Sequence, residues 1–241
     1  MGLYREEAVV LRTLRLGDSD RIVTFLTRGR GKVRAVAKGV RKTKSRFGGR
    51  LEPLGHVALL LYEGRELDVV TQAESLEHFR LVRDDLDRLA KAHVLLEVTD
   101  DVAQERQANA RLYQMLVGAL RALAAHDSPL LVPAYILKVL ASEGAQPVTD
   151  GCAACGTGGP AAGFDLTQGG ALCLDCARRA SAAPVSAEAL DLVRRVLGGD
   201  LVGALNQVAG PVTAEVDRLA TRSFEHHVER RLRSATVLDR S

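Results

Sequence analysis

The hydrophobic period of the chain changes near residue 75, and this change constrains the possible folds more than any other feature of the sequence. In residues 7–74, apolar side chains come in short runs that tend to alternate with polar ones, most clearly in Lys32–Lys38 (KVRAVAK). A period of two is typical of a strand with one buried face. From Ser75 onward, apolar residues recur at spacings of three and four, as in amphipathic helices. The sequence therefore predicts an α+β protein with a β-rich N-terminal part and a mostly helical remainder.

Five short strands are predicted in the N-terminal part. They are Glu7–Leu14, Arg21–Thr27, Lys32–Lys38, Leu51–Tyr62 and Glu66–Ala73. The segment Gly39–Arg50 is predicted to be a loop because of its glycine and serine content. Five strands in about 70 residues suit a small closed barrel, and the OB-fold is a common barrel of this size that presents a strand face and loops to nucleic acid. We therefore predict a five-stranded OB-fold barrel, acting as a DNA-binding domain, in residues 1–79.

A helical domain is predicted to follow the barrel, in residues 80–149 and 181–241. Its predicted helices are Asp84–Gln104, Ala108–Ala125, a helix that opens at Ser128-Pro129 and ends near Gly144, Ser186–Leu197, and Val212–Arg233. Carboxylates in the first turn of the first helix, and the Ser-Pro pair that opens the third, are typical signals of a helix N-terminus. The intervening residues 150–180 have a different composition, rich in glycine and cysteine.

All four cysteines of the chain lie in this intervening segment, as two CxxC pairs. The pairs are Cys152/Cys155 and Cys173/Cys176, and 17 residues separate them. Each pair can form a knuckle, and two knuckles complete the tetrahedral sulfur site that Zn²⁺ prefers. Four protein ligands leave no open coordination position, so the ion would be structural. We therefore predict one structural Zn²⁺ in a four-cysteine zinc ribbon or finger carried by the helical domain, with redox-active or incidental CxxC pairs as the alternative.

The net charge of +3 hides a strongly basic segment near the N-terminus. Between Asp20 and Glu52 there are eleven basic residues and no acidic one. Such a block repels itself unless a polyanion balances it, although a solvated basic face without a ligand is the alternative. The candidate DNA-binding side chains are Arg15, Arg21, Lys32, Arg34, Lys38, Arg41, Lys42, Lys44 and Arg46. If they neutralise about six to eight phosphates, the slope of log K against log salt is roughly −4 to −7.

Other side chains near this basic segment have weaker predicted roles. Arg28 and Arg30, in the turn before the third strand, are predicted to widen the phosphate track. Phe47, in the basic loop, is the aromatic residue best placed to stack on a base, and Lys32–Lys38 is predicted to turn its cations to solvent. The zinc element lies in the acidic part of the chain, so its contact with DNA is left open.

The sequence contains no motif that indicates catalysis. A Walker-type GxxxxGK[ST], a GxGxxG after a strand, HExxH and GxSxG are all absent, and the scattered histidines suggest no triad. We therefore expect a protein that is not an enzyme. No strongly apolar run approaches 18 residues, and the N-terminus lacks the apolar core of a signal peptide, so we expect a cytoplasmic protein that does not enter a membrane.

Several stretches resemble the bacterial RecO family of recombination mediators. They are the run from Gly17-Asp18-Ser19-Asp20-Arg21 through Gly39–Phe47 (GVRKTKSRF), both CxxC pairs, and Ser223–Ser234 (SFEHHVERRLRS). The resemblance implies an N-terminal OB-fold, a central helical domain and a zinc element packed on it. It also implies a non-enzymatic role in which the protein binds single- and double-stranded DNA and anneals complementary strands. With RecR, such a protein helps to load RecA on DNA coated by the single-stranded DNA-binding protein.

Two other classes of protein remain open at this point. A zinc-ribbon nuclease would need carboxylates placed for a second metal, and the acidic residues of Asp84–Asp101 fit helix caps and solvated charges better. A basic OB-fold scaffold that binds RNA or an acidic protein partner is the second alternative. The sequence does not indicate where RecR or the single-stranded DNA-binding protein docks, nor a preference between single- and double-stranded DNA.

Overall fold

The structure is a computed structural model that describes residues 2–42, 45 and 47–235. The chain forms two compact units, residues 1–125 and residues 126–241. The first unit contains the barrel together with the helices that follow it, whereas the sequence pattern suggested a barrel domain that ends near residue 79. In the described part of the chain, we find no helix that combines the length and apolar character needed to cross a membrane.

A closed five-stranded barrel forms the N-terminal part of the first unit. Its strands are β1 (Leu3–Leu16), β2 (Asp20–Thr27), β3 (Gly31–Ala37), β4 (His56–Tyr62) and β5 (Asp68–Glu77). They are hydrogen-bonded in the order β1-β2-β3-β5-β4, and β4 closes the barrel on β1. The β3–β5 pair is parallel, and the other pairs are antiparallel. The predicted α+β fold with a five-stranded OB-fold barrel is confirmed.

The connection between β3 and β4 fills one end of the barrel interior. Val40, Phe47 and Leu51 from this connection pack into the apolar cluster of the barrel core. A short 3-10 turn at Gly48–Leu51 brings Leu51 inward, so β4 begins at His56 and not at Leu51 as predicted. Phe47 is 1% exposed. The prediction that Phe47 stacks on a base is therefore wrong, because its ring is part of the barrel core.

Helices α1 (Arg80–Arg83), α2 (Leu86–Val102) and α3 (Ala110–Ala125) complete the first unit. α2 and α3 pack against β1. The linker between α2 and α3 runs along the first part of β3, which β5 does not pair with. There the N–H of Lys32 donates to the carbonyl of Gln104 at 3.0 Å, and the N–H of Arg106 donates to the carbonyl of Lys32 at 2.9 Å. Gly31 makes this approach possible, because a Cβ there would lie 1.8 Å from a backbone oxygen of the linker.

A buried histidine joins the barrel to α3. His56 is 5% exposed, and its Nε2 lies 2.8 Å from the hydroxyl of Tyr113. Its Nδ1 lies 3.2 Å from a carboxylate oxygen of Glu77, which also accepts hydrogen bonds from Arg121. Burial lowers the pKa of His56, although the nearby Glu77 carboxylate opposes this shift. Burial, the larger of the two effects, thus favours a neutral ring in the folded protein.

A buried carboxylate joins the barrel to the α2–α3 linker. Asp68, at the start of β5, is completely buried. It accepts hydrogen bonds from the Arg106 guanidinium at 2.9 Å, from the N–H of Gly64 at 3.0 Å, and from the hydroxyl of Tyr4. A buried charge is stable in a fold only when it is hydrogen-bonded and paired, and Asp68 meets both conditions.

The second unit is built around a buried helix. Its elements are α4 (Leu131–Ser142), β6 (Gly163–Asp165), β7 (Gly170–Leu172), α5 (Leu174–Ala180), α6 (Ala187–Gly198), α7 (Leu201–Leu205) and α8 (Pro211–His227). α4 is apolar around most of its circumference, and α6 and α8 pack against it. The last helix ends at His227 and not at Arg233 as predicted; Glu229, two residues later, has a positive φ of 53°.

Candidate nucleic-acid interface and metal centre

Two turns meet at one end of the barrel and bring basic side chains together. The N–H of Arg41 donates to the carbonyl of Ser19 at 3.0 Å, and the N–H of Gly39 donates to the Asp20 carboxylate at 2.7 Å. The hydrogen bond from Gly39 also holds the pKa of Asp20 below its ordinary value. These contacts join the β1–β2 turn to the segment after β3, which are about 20 residues apart in sequence.

We call the basic side chains at this end the cationic rim. Its members are Arg15, Arg21, Lys38, Arg41 and Lys42. Arg15 and Arg21 lie directly opposite each other on β1 and β2, a like-charge pair that destabilises a sheet unless an anion balances it. Arg21 has a partner, since its guanidinium lies 2.5 Å from Glu52. Within residues 2–42, 45 and 47–235, the other four rim side chains have no carboxylate at ion-pair distance.

A second basic group lies on the outer face of β3 and is already paired within the protein. Lys32 is not exposed as predicted: its side chain is 15% exposed, and its ammonium donates to the Asp100 carbonyl at 2.5 Å and to the Asp100 carboxylate at 3.1 Å. Arg12, which the sequence pattern did not single out, contacts the same carboxylate at 2.5 Å. The guanidinium of Arg34 lies 3.7 Å from Glu105.

Arg28 and Arg30 lie away from the rim. They occupy the β2–β3 turn, whereas the rim lies at the opposite end of these strands. The Arg28 guanidinium lies 3.2 Å from Glu7, and that of Arg30 lies 3.3 Å from Glu63. These contacts do not support the prediction that the two arginines widen a track of phosphate contacts along the rim.

The nine predicted DNA contacts therefore fall into three groups. Those without a carboxylate partner in the described residues are Arg15, Lys38, Arg41 and Lys42. Those with an intramolecular carboxylate partner are Arg21, Lys32 and Arg34. Those that lie outside the described residues are Lys44 and Arg46. The carboxylates that pair with Arg21, Lys32 and Arg34 come from distant parts of the sequence, so no local pattern could have identified them.

The arrangement of the rim suits phosphate groups. Arg15, Lys38, Arg41 and Lys42 are all exposed. The guanidinium of Arg41 donates to the carbonyl of Asp18 at 3.0 Å. This hydrogen bond fixes one edge of the guanidinium and leaves the other edge for a ligand. Lys38 and Lys42 interact electrostatically with Asp20 without forming an ion pair. Cations that are not held in ion pairs attract a polyanion, and guanidinium groups form forked hydrogen bonds with phosphate oxygens.

The four predicted cysteine ligands come together in the second unit. Their sulfur atoms all lie within 4.8 Å of one another, and Sγ of Cys155 lies 3.9 Å from Sγ of Cys173. Tetrahedral zinc with Zn–S bonds of about 2.3 Å places its sulfur ligands about 3.8 Å apart. The donor set and its spacing therefore fit a structural metal ion. In the part of the chain that the structure describes, this is the one cluster of cysteine, histidine or acidic side chains placed to hold a metal.

The local fold explains how the cysteines meet. Cys152 and Cys155 lie in a turn closed by the N–H of Gly156, which donates to the carbonyl of Cys152 at 2.8 Å. Cys173 is the N-cap of α5, and Cys176 lies in its first turn. The β6–β7 hairpin that connects the two pairs has a very small core, in which Leu172 and Ala177 pack against Cys152 and Cys176.

Hydrogen bonds to sulfur distinguish the four thiols. The guanidinium of Arg179 lies 3.1 Å from Sγ of Cys176. The backbone N–H of Cys173 lowers the pKa of Cys152 to about 6, which favours the thiolate form that binds metal. The pKa of Cys176 is raised to about 11: Arg179 lowers it, whereas the neighbouring thiols and burial raise it by more. Arg179 is thus the cationic partner of the cluster, and sequence reasoning did not identify it.

Comparisons with known proteins agree with this architecture. The sequence matches the family described as Recombination protein O N terminal over residues 1–79, and the family described as Recombination protein O C terminal over residues 83–236. A DNA repair protein RecO from a Nocardioides species is 44% identical over 245 residues, covering 99% of this chain and 100% of the relative. A DNA repair protein RecO from Frankia casuarinae is also 44% identical over 245 residues, with 100% of both chains covered. This chain therefore belongs to the RecO family of DNA repair proteins.

Proposed function

We propose that this protein is a non-enzymatic recombination mediator in the repair of DNA gaps and double-strand breaks. It binds single- and double-stranded DNA and anneals complementary strands. With RecR, it helps to load RecA on DNA covered by the single-stranded DNA-binding protein. The observation that carries the proposal is the cationic rim, in which four exposed cations share one end of an OB-fold barrel without a carboxylate partner among the described residues.

Phosphate contacts explain why such a rim suits annealing. Each phosphate that a rim cation neutralises releases a counterion, so binding is strong at low salt and depends little on sequence. Shielding the phosphates of two strands lowers their mutual repulsion while the base edges stay free to pair. The burial of Phe47 supports this reading, because the one aromatic residue in the sequence of the basic loop is held in the barrel core, away from any base.

We propose that the four cysteines hold one Zn²⁺ ion. Four thiolates around one ion form a closed tetrahedral site, and such a site has no open position for a substrate or a catalytic water. When bound, the ion supplies folding energy to its surroundings. The four cysteines that would bind the ion hold the β6–β7 hairpin against α5. The apolar core between the hairpin and α5 is too small to stabilise this part of the chain alone.

The proposed partners follow from the same role. The protein acts in the cytoplasm on the bacterial nucleoid, contacts RecR and the single-stranded DNA-binding protein directly, and affects RecA indirectly. It has no membrane partner. No side chain is assigned to either protein contact.

Two assays on the full-length protein test the proposal. The first mixes labelled complementary oligonucleotides with the protein, without ATP, and follows annealing by energy transfer; we expect acceleration that disappears at high salt. The second incubates labelled DNA with the protein and divalent metal; we expect no cleavage. Metal-dependent cleavage would indicate a nuclease, and tighter binding to RNA than to DNA of the same sequence would indicate an RNA-binding scaffold.

A further inference from the structure

The four clustered cysteines differ in their access to solvent. Cys152 and Cys176 are 4% and 5% exposed and belong to the small apolar core beside the β6–β7 hairpin. Cys173 is half-buried, and Cys155 is exposed. A reagent dissolved in water therefore reaches Cys155 first and Cys173 next, and it has little access to the other two residues.

The two accessible cysteines belong to different CxxC pairs, and their sulfur atoms are close to each other. Sγ of Cys155 lies 3.9 Å from Sγ of Cys173. A disulfide bond is about 2.05 Å long, so the two sulfur atoms need to approach by about 1.9 Å to form one. A change of side-chain rotamer moves a sulfur atom over a distance of this order.

The chain around Cys155 leaves room for such a movement. Residues 154–160 are all exposed. Gly156, the next residue, has a φ of 73°, and a Cβ added there would meet no atom within 4 Å. The hydroxyl of Thr157 lies 3.3 Å from Sγ of Cys155, but Thr157 is itself exposed, so this contact does not shield the sulfur from solvent.

The two buried cysteines are held by their neighbours. Cys152 and Cys176 pack with Leu172 and Ala177. The guanidinium of Arg179 lies 3.1 Å from Sγ of Cys176. These contacts oppose a movement of either sulfur toward a new partner, whereas Cys155 has no such packing.

We propose that Cys155 and Cys173 form a redox modification site, in which a hydroperoxide joins them in a reversible disulfide and the cluster releases its metal ion. The release rests on the proposed Zn²⁺, and the disulfide goes beyond the proposed function. After oxidation only Cys152 and Cys176 remain as thiolates, and it is the thiolate that binds metal. Because the ion supplies folding energy to this part of the chain, its loss loosens the β6–β7 hairpin on α5.

The oxidation takes two steps. The Cys155 thiolate attacks hydrogen peroxide, the O–O bond breaks, a sulfenic acid forms on Sγ and a hydroxide ion leaves. The Cys173 thiolate then attacks this sulfur, the S–S bond forms and a second hydroxide ion leaves. In total the two sulfur atoms lose two electrons, and the peroxide gains them.

The position of the disulfide makes the change reversible and local. It links the two CxxC pairs to each other, so the four sulfur atoms stay near one another after the metal has left. A thiol reductant then restores all four ligands. The first unit contains no cysteine, so the cationic rim is not modified by this reaction.

The test treats the full-length, zinc-loaded protein with hydrogen peroxide and measures released Zn²⁺ with a chromogenic chelator. Free thiols are then alkylated, and the chain is cut before each aspartate. The cysteines fall on three peptides, which are residues 150–164 (Cys152 and Cys155), residues 165–174 (Cys173) and residues 175–190 (Cys176). We expect the loss of one Zn²⁺ per chain together with a disulfide between peptides 150–164 and 165–174. Dithiothreitol with added Zn²⁺ should reverse both changes.

Two matched variants identify which cysteine of the first pair reacts. Cys155→Ser and Cys152→Ser each remove one ligand of the same knuckle, so the loss of a ligand affects both alike. We expect Cys152→Ser still to link peptides 150–164 and 165–174 under peroxide, and Cys155→Ser not to link them. Circular dichroism verifies that both variants fold. If either does not, fragmentation of the linked peptides from the unsubstituted protein gives the same assignment.

Other results overturn the inference. A disulfide within peptide 150–164, or one that includes peptide 175–190, would show that solvent access does not select the partners. Sulfinic or sulfonic acid on Cys155 without a disulfide would show that Cys173 does not reach it. The two readouts also separate this inference from the proposed metal. Linked peptides from a protein that binds no Zn²⁺ would refute only the metal, and retained Zn²⁺ without linked peptides would refute only the redox site.

Discussion

The cationic rim makes a quantitative prediction for the double variant Lys38→Gln, Arg41→Gln. Neither residue has a carboxylate partner among the described residues, so their replacement removes two positive charges and breaks no ion pair within that part of the chain. The backbone N–H of Arg41 still holds the β1–β2 turn through Ser19, because that bond does not involve the side chain. We therefore expect weaker DNA binding in a protein of nearly unchanged stability.

The structure sets the size of the effect. Four rim cations are free of carboxylate partners in the described residues, and the sequence adds Lys44 and Arg46, so about four to six phosphates are neutralised and the slope for single strands is roughly −3 to −4. This is shallower than the sequence alone suggested, because three of the nine candidates are paired. Removing two contacts should flatten the slope by about 1.4 for single strands and about 1.8 for duplex, a loss of about 25-fold and 60-fold at 0.1 M salt.

The assay is fluorescence anisotropy with single- and double-stranded oligonucleotides between about 0.05 and 0.5 M salt, a range in which screening changes strongly. The control is Arg65→Gln with Arg111→Gln, which removes the same net charge from two exposed arginines outside the rim. An equal loss in the control would show that binding follows net charge and not the rim. An unchanged slope in the rim variant would refute the reasoning, and so would a loss confined to one sequence, since phosphate contacts are independent of sequence.

Three further predictions concern the polar contacts that support the fold. Arg179→Gln should speed metal release to a chelator and lower metal affinity about tenfold, because a hydrogen-bond partner of a metal ligand affects how tightly the site binds metal. The neighbouring Arg178→Gln is the control, and equal effects of the two substitutions would contradict a specific role for Arg179. Burial lowers the pKa of His56 below 6.5, so on acidification the unfolded chain binds a proton at this residue before the folded protein does. The contribution of His56 to the free energy of unfolding should therefore be greatest above pH 6.5 and should fall as the pH drops from there through the lowered pKa. Urea unfolding at several pH values should show that His56→Gln reduces this loss, and an unchanged profile would exclude His56 as its source. Asp68→Asn should lower the free energy of unfolding by about 2–3 kcal/mol because it weakens charged hydrogen bonds to a buried carboxylate, measured as a shift of the urea midpoint.

The sequence alone determined the class of the fold and the four cysteines that meet in the candidate metal centre. Strand and helix periods are local properties, so the change of period near residue 75 was enough to predict a barrel followed by helices. The four cysteines form two CxxC pairs, and a pair at that spacing converges through its own turn. The eleven-to-zero charge balance between Asp20 and Glu52 likewise needed no structure to point toward a polyanion.

Only the tertiary structure decided which basic residues are available. Asp100 pairs with Arg12 and Lys32 across 88 and 68 residues of sequence, and no local pattern predicts such a contact. Phe47 was expected to be exposed because its neighbours in the sequence are polar. In the structure, its ring fills the end of the barrel core, because the free energy gained by burying an aromatic ring is larger than any local preference of the loop. The difference between Leu11, which is 4% exposed, and Leu14, which is 48% exposed on the same strand, was also invisible in the sequence. A strand residue is covered or free according to what packs on its sheet.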